Sequence, residues 1–443
     1  MTRCKHQTLQ LAPSPFAEHA GYTQPALEDR RGATASKSEA QKATAKTNDS
    51  SSTFPAPLVL PFDDLNYDPD YETQDFTQWH QYKSRNRVTA SKQTIYIARV
   101  PEITANVDYM HDWTMPTLNS DDNDLAMRAQ SSPIEDFIDY VSAFYHGMYV
   151  TELPLQLKWT SWHANRKPHL QRSTPKYVAL QHGEETTRVR TRVPPDGVFQ
   201  AQLNLNDILD GAMRILPDDA HAICLLIDHD MWEEDDDFCC GRAYGGSRVS
   251  VVQTARYNPA LDAQQGIDRE HMWPLSHCKD FIVKICLTED LAPRKPTQRQ
   301  IRDSRSGPMR RAVDAASTWA CAAGYRENED ALWFSRLART VSHEIAHCFA
   351  FDHCVYYACN SQGTAGMKED VRQPPYLCPV CEAKVSHAIA VEAFNGGELK
   401  RKMWVKNRCV QLQRFCETLR REGKGTAMWS GLEAWLGERL SQM

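Results

Sequence analysis

His343-Glu344-Ile345-Ala346-His347-Cys348-Phe349-Ala350-Phe351-Asp352-His353 is the stretch on which the reading of this chain turns. Its pattern is H-E-x-x-H-x5-H. Residues four apart share one face of an α-helix, so His343 and His347 aim two imidazoles at one point. Glu344 stands beside the first of them. His353 follows Ala350 by three residues and lies too far along for the same helical face. The chain must therefore turn back after Ala350 to bring it in. Three protein ligands leave one coordination position open, which is the arrangement a catalytic zinc needs. The competing reading is three ordinary helix and loop histidines. Their register, with Glu344 between them, argues against it.

A second cluster follows at once. Cys354, Cys359, Cys378 and Cys381 read as C-x4-C-x18-C-x2-C. The knuckle Cys378-Pro379-Val380-Cys381 can grip one side of a tetrahedral zinc, and Cys354 with Cys359 the other. Four thiolates close the coordination sphere, so this zinc is expected to be structural. A lone C-x-x-C reads as a redox pair or as chance; here a second pair matches it.

The block from His343 to Cys381 resembles the archaemetzincins, a branch of the metzincin metallopeptidases. Their pattern runs H-E-x-x-H-x-x-G-x3-C-x4-C-x-M and then, further on, C-x-x-C. The stretch from Gly366 to Leu377 is also similar to that family, and a weaker likeness reaches back to Thr94. A single H-E-x-x-H arises often by chance, but a third His and four spaced Cys in register do not. Two positions depart from the pattern. Ala350 stands where the family has the glycine of a sharp turn; glycine adopts positive φ without a steric penalty, whereas alanine there costs on the order of 1 kcal/mol. Ser361 occupies the Met-turn position, where the family's methionine packs beneath the ligands, and nearby Met367 is the residue that could fill the space.

The resemblance implies an α/β (α+β) chain with a metzincin-like catalytic domain, a twisted mixed sheet packed on helices, one of which carries the site. It implies zinc held by His343, His347 and His353. It further implies Glu344 as the base that takes a proton from the attacking water and passes it to the leaving amine. Peptides or small proteins are the implied substrates, some cleaved from the amino end. In such a fold an edge strand binds substrate backbone by strand addition. Val249, Val251 and Gln253 on the strand Val249–Gln253 are expected to provide it, with an interior strand as the competing reading. Two zinc ions per chain are expected, one catalytic and one structural. The alternative function is a catalytically weak, zinc-binding pseudo-peptidase acting as a protein-binding module, motivated by Ala350 and Ser361. A third reading is a basic-loop interaction module whose zinc sites only stabilise the fold.

Composition narrows the field. The chain has 443 residues, a net charge of −6 and a pI near 6.2, which argues against a general nucleic-acid binder. Met1 to Gln7 carries no apolar signal core, and no apolar run approaches the roughly 18 residues of a membrane helix. The expected compartment is intracellular, cytoplasmic or nuclear, and reducing. The fourteen cysteines are then thiols or metal ligands, not disulfides. Cys224, Cys239, Cys240, Cys278, Cys286 and Cys321 read as buried thiols.

Along the chain, residues 1–55 are polar and poor in aromatics and read as a disordered tail, with Lys37 to Lys46 as a less favoured targeting signal. Residues 56–390 form the catalytic domain with its zinc knuckle, and 391–443 a C-terminal helical extension. Leu58 to Phe62 reads as an anchor onto the domain. Thr94 to Val100 and Ala222 to Ile227 read as strands. Ile134 to Tyr145 and Leu205 to Leu216 follow helical spacing, as does the stripe Leu332, Phe334, Leu337, Val341 and Ile345 ahead of the histidines. The stretch 292–311, with Arg294, Lys295, Arg299, Arg302, Arg305, Arg310 and Arg311, reads as an exposed basic insertion. Glu233 to Asp237 reads as a solvated acidic turn, since it lacks the alternation of a calcium loop. Asp352 is a possible acceptor for a ligand imidazole, with plain surface exposure as the equal alternative.

Overall fold

A computed structural model of the chain describes residues 4–35, 51–118, 132–162, 174–291, 295, 297–322 and 328–443. Its strands are Thr94–Ala98 (β1), Glu102–Ile103 (β2), Tyr149–Glu152 (β3), Leu157–Thr160 (β4), Tyr177–His182 (β5), Glu185–Arg192 (β6), Gln202–Asn204 (β7), Ala220–Ile227 (β8), Met231–Trp232 (β9), Gly241–Ala243 (β10) and Val249–Gln253 (β11). They form two sheets, ordered β10-β11-β8-β1-β3 and β2-β4-β5-β6-β7-β9. In the first sheet β3, β1, β8 and β11 run parallel and β10 pairs antiparallel on the outside. The second sheet is a largely antiparallel meander.

Strand β8 is buried at every position. That is the signature of a parallel strand covered on both faces. Its side chains alternate between two cores. Ala222, Cys224 and Leu226 face the core that contains Phe334, Leu337, Val341 and Ile345 of the helix Glu329–Cys348. Ile223, Leu225 and Ile227 face Ile208, Leu209 and Ala212 of the helix Leu205–Arg214, together with the second sheet. The helix bearing the histidines is thus pinned lengthwise on one face of the first sheet. The helices Glu398–Arg421 and Ala427–Ser441 join the same core through Leu412, Phe415, Trp429 and Trp435. The expected mixed α/β architecture is the one observed.

Two stretches differ from their composition. Residues 4–35, placed by composition in a solvated tail, lie against the body: Leu9, Leu11, Phe16, Ala17 and Tyr22 are buried. Phe16 packs with Leu58, Leu60 and Ile282, and Ala17 and Tyr22 with Val59 and Val355. A few well-spaced apolar residues dock a segment that its average polarity classes as tail. Lys37 to Lys46 lies outside the described residues. Within the basic stretch, Gln298–Asp303 and Pro308–Ala322 are helical, Met309 is fully buried and Arg310 donates to the carbonyl of His6. Arg294 lies outside the described residues. No helix among the described residues is long and apolar enough to cross a membrane.

Candidate metal centre

The helix Glu329–Cys348 begins with the Asn328 side chain accepting from the amides of Asp330 and Ala331, at 3.1 and 3.4 Å. Glu329 and Asp330 then complement the positive end of its dipole. It ends in a Schellman motif: the Ala350 amide donates to His347 O at 2.8 Å and the Phe351 amide to Ala346 O at 3.2 Å. Ala350 adopts φ +62°, the left-handed conformation usually filled by glycine. This single reversal carries the chain back along the helix and delivers His353.

The three histidines meet. A ring nitrogen of each lies within 4.8 Å of the others. The His353 ring centroid is 5.4 Å from that of His343 and 5.1 Å from that of His347. His343 Nδ1 donates to the Asn360 carbonyl at 2.7 Å and His347 Nδ1 to the Phe351 carbonyl at 2.6 Å. A carbonyl can only accept, so each Nδ1 carries the hydrogen and each Nε2 a lone pair. The two Nε2 atoms face each other at 3.1 Å. Two lone pairs that close repel unless a cation stands between them, so this donor set fits a metal ion. The imidazoles are also kept neutral, as ligands must be. Burial holds His347 and His353 down at about 4, and burial together with its two neighbours holds His343 well below the usual range.

Glu344 is buried and its carboxyl is pushed up to about 8 by burial, with Arg339 and Arg242 pulling the other way. It lies against β10. A methyl group at Gly241 would fall 2.9 Å from Glu344 Oε1 and 3.1 Å from its Cγ. The glycine is what lets the edge strand pass so close to the carboxylate. Arg242, next along, pairs with Glu233.

Strand β11 is a correction to the sequence reading. Val249, Val251 and Gln253 lie on an interior strand between β8 and β10, buried throughout, and not on an edge. Val249 and Val251 point into the core beneath the helix Leu205–Arg214, and Gln253 Nε2 donates to Cys239 O at 2.5 Å. The edge belongs to Gly241–Ala243, which is too short and too polar in sequence to stand out from the acidic turn before it.

The four cysteines of the second cluster are buried, with one sulfur from each within 4.8 Å of the rest. Cys354 Sγ and Cys378 Sγ are 3.5 Å apart, and Cys359 Sγ accepts from the Cys378 amide at 3.2 Å. Hydrogen bonds from Cys359, Cys378 and Cys381 hold the Cys354 thiol well below its ordinary value. Four sulfurs in a dry pocket match a closed, tetrahedral zinc site. All fourteen cysteines are free of disulfides. Cys224, Cys278 and Cys286 are buried as expected, Cys239 and Cys240 are half-buried, and Cys321 is exposed.

Ser361 is buried with its hydroxyl unpartnered, directly after the Asn360 carbonyl that fixes His343. Met367 is buried, its sulfur accepting from Cys240 Sγ at 3.5 Å. Asp352 is exposed and accepts from Gln74 at 2.8 Å, so backbone carbonyls and not Asp352 orient the His343 and His347 rings. Asn360 and Gly241 escaped the sequence reading. Asn360 acts through its backbone, which leaves no residue-type signal, and Gly241 through the side chain it lacks. Arg339, one turn before His343, is buried in an ion pair with Asp370 and ties the site helix to the turn Met367–Asp370.

No family model matches the chain. Archaemetzincin-2 of Macaca fascicularis is 41% identical over 54 residues, 12% of this chain and 15% of that protein. Archaemetzincin-1 of Homo sapiens is 32% identical over 94 residues, 19% of this chain and 18% of that protein. The matches therefore span less than a fifth of those relatives' lengths. Among solved structures, archaemetzincin from Methanopyrus kandleri aligns over 67% of this chain and 96% of its own, with 12% identity and a TM-score of 0.32. A zinc-dependent peptidase from Methanocorpusculum labreanum aligns over 66% and 99%, with 13% identity and a TM-score of 0.32. The curated relatives bear out the resemblance to archaemetzincins that the metal-ligand motifs carry.

Proposed function

We propose that this chain is a zinc-dependent metallopeptidase of the archaemetzincin kind. The observation that carries the proposal is the pair of hydrogen-fixed imidazoles whose Nε2 lone pairs face each other at 3.1 Å with His353 beside them. His343, His347 and His353 hold the catalytic zinc, and Cys354, Cys359, Cys378 and Cys381 a structural one. The catalytic zinc supplies a Lewis acid that acidifies water and polarises a carbonyl. Glu344, buried beside the first ligand where Asp352 beside the third is exposed, moves the proton: its carboxylate takes one from the attacking water and returns it to the leaving amine. Without a metal, burial lifts that carboxyl to about 8; a neighbouring divalent cation favours the carboxylate and brings it into use near neutral pH.

Substrate backbone adds to the outer side of β10. This strand ends its sheet, and Gly241 brings it against Glu344. Strand addition there lays an extended peptide across the base. Cleavage from the amino end is the finer form of the proposal, and it rests on the family resemblance.

The test is turnover of a mixed peptide library by the full-length, zinc-loaded protein, with products read by mass spectrometry, beside Glu344→Gln. The parent is expected to cleave and the variant to lose at least about 10²-fold while keeping its zinc. Equal turnover by both overturns the assignment of Glu344. A folded, zinc-loaded parent without turnover favours the pseudo-peptidase instead.

A further inference from the structure

Cys4, His271 and Cys278 come together far from the histidine centre in sequence and share no residue with either site above. The two sulfurs and one ring nitrogen all lie within 4.8 Å of one another. We infer that these three residues form a further metal site, which takes a zinc-class divalent cation and fastens the segment beginning at Cys4 to the body of the protein.

Four observations support the inference. The first is the orientation of His271. Its Nδ1 is hydrogen-bonded to Asp268 Oδ2 at 2.8 Å, while its buried Nε2 has no partner other than the Cys278 thiol beside it. A carboxylate on one ring nitrogen with the other left for an ion is the usual outer support of a histidine ligand. The ring is further held by stacking on Phe281, with centroids 4.2 Å apart.

The second is sulfur spacing. Cys4 Sγ and Cys278 Sγ are 3.3 Å apart, close to the 3.5 Å between Cys354 and Cys378 in the four-cysteine cluster. Two thiolates on one tetrahedral zinc, each at about 2.3 Å, stand a little under 4 Å apart. A sulfur-rich set with one imidazole selects zinc-class ions over magnesium or calcium, which take oxygen ligands.

The third is how firmly Cys4 is placed. Its amide donates to Glu270 Oε1 at 2.8 Å, and the His6 carbonyl accepts from Arg310 Nη1 at 2.8 Å. The Gln10 amide donates to His277 O at 2.8 Å and the Lys279 amide to Thr8 O at 2.9 Å. The segment is thereby laid alongside Cys278, with Leu9 and Cys278 bridged as in a short antiparallel ladder.

The fourth is His6, whose Nε2 is buried and unpartnered and whose ring centroid lies 5.4 Å from that of His271. Its ring nitrogens fall outside the 4.8 Å cluster of the other three donors, so it borders the site as a further polar group without completing the ligand set. Binding releases the two thiol protons, so occupancy rises with pH.

The test measures zinc per chain in the full-length protein dialysed against dilute zinc, for the parent, Cys4→Ser and Cys278→Ser. Each variant is expected to lose one zinc, and the double variant no more than one. Where Cys278→Ser fails to fold, Cys4→Ser decides. A second readout is alkylation of Cys4 followed by mass spectrometry: protected in the zinc-loaded parent, and labelled after chelation or in His271→Ala. Peptide hydrolysis by Cys4→Ser should match the parent, which separates this site from the histidine centre. An unchanged zinc content in Cys4→Ser overturns the inference. So does a Cys4–Cys278 disulfide in the purified protein with no loss of zinc on substitution, which would make the pair a redox couple instead.

Discussion

Gly241→Ala tests the geometry of the centre without touching a ligand or the base. The added methyl would fall 2.9 Å from Glu344 Oε1, 3.1 Å from its Cγ and 3.2 Å from its Cδ. Ordinary contact begins near 3.4–3.5 Å, so something must give by about 0.5 Å. Strand β10 is held in place by its pairing, Gly241 with Val252, Arg242 with Val251 and Ala243 with Ser250, and by the Arg242–Glu233 ion pair. The movable group is the end of the Glu344 side chain. Gly241 does not have a positive φ, so alanine introduces no backbone strain, and Gly→Ala inside a strand favours folding by about 0.5–1 kcal/mol. Stability should therefore stay level or rise slightly. Misplacing a reacting group by 1 Å can cost about 10²-fold in rate, so half that displacement should lower kcat/KM by roughly tenfold. The assay is kcat/KM on one library-derived peptide, with zinc content and melting temperature measured on the same preparations. A variant within twofold of the parent, while Glu344→Gln is inactive, would refute the reasoning. Glu344 would then work from a position that the edge strand does not constrain.

Two further predictions concern the sites and the body. His347→Ala should lose one zinc and Cys378→Ser a different one. Only Cys378→Ser should destabilise the fold severely, by more than about 5 kcal/mol in chemical denaturation, because a structural zinc binds as the chain folds; superimposable melting curves for Cys378→Ser and the parent contradict that role. The second concerns acid stability. His221 is fully buried beside Phe349 and is held at about 3 by burial, with Arg248 and Arg85 adding to the effect. In the unfolded chain it titrates near 6.5, so between those values the unfolded state binds a proton that the folded state refuses. Stability should fall as pH drops from about 6.5 towards 3, by up to about 1.4 kcal/mol per pH unit from this group. His221→Phe should flatten that part of the profile, and an unchanged slope in urea denaturation between pH 6.5 and 4 overturns the attribution.

What the sequence made legible follows from how each feature is encoded. The histidine trio and the cysteine quartet are written in residue types at fixed spacings, and the structure brings together every member of both. The site helix announced itself through Leu332, Phe334, Leu337, Val341 and Ile345, all buried and the last four in the core against the first sheet. Strand β8 was legible because a strand covered on both faces has a nearly unbroken apolar run. The edge was not. Strands β10 and β11 are both short, and order within a sheet depends on pairing between distant segments, which local patterning does not record. The more apolar strand drew the assignment, although burial on both faces is what an interior strand needs. Residues 4–35 were misjudged for a related reason. Their average composition is polar, but Leu9, Leu11, Phe16 and Tyr22 are spaced to meet apolar surface supplied by residues more than two hundred positions away, among them Ile282 and Val355.

Ala350 shows how one departure from a family pattern can leave the site intact. The left-handed turn costs alanine about 1–2 kcal/mol relative to a right-handed one. Against that stand the two capping bonds of the Schellman motif, and a third from Gln74 Nε2 to the Ala350 carbonyl at 3.1 Å. At a net 0.5–1.5 kcal/mol each, these bonds together match or exceed the strain. Gln74 also donates to Asp352 and accepts from its amide, so one side chain clamps the reversal on both sides of Phe351. The Phe351 carbonyl in turn accepts from His347 Nδ1. The turn that delivers His353 and the acceptor that orients His347 are therefore one structure, held by hydrogen bonds where the family pattern relies on glycine. The conformation is set by its surroundings, so the centre keeps its three-imidazole geometry without the residue that usually makes the turn easy.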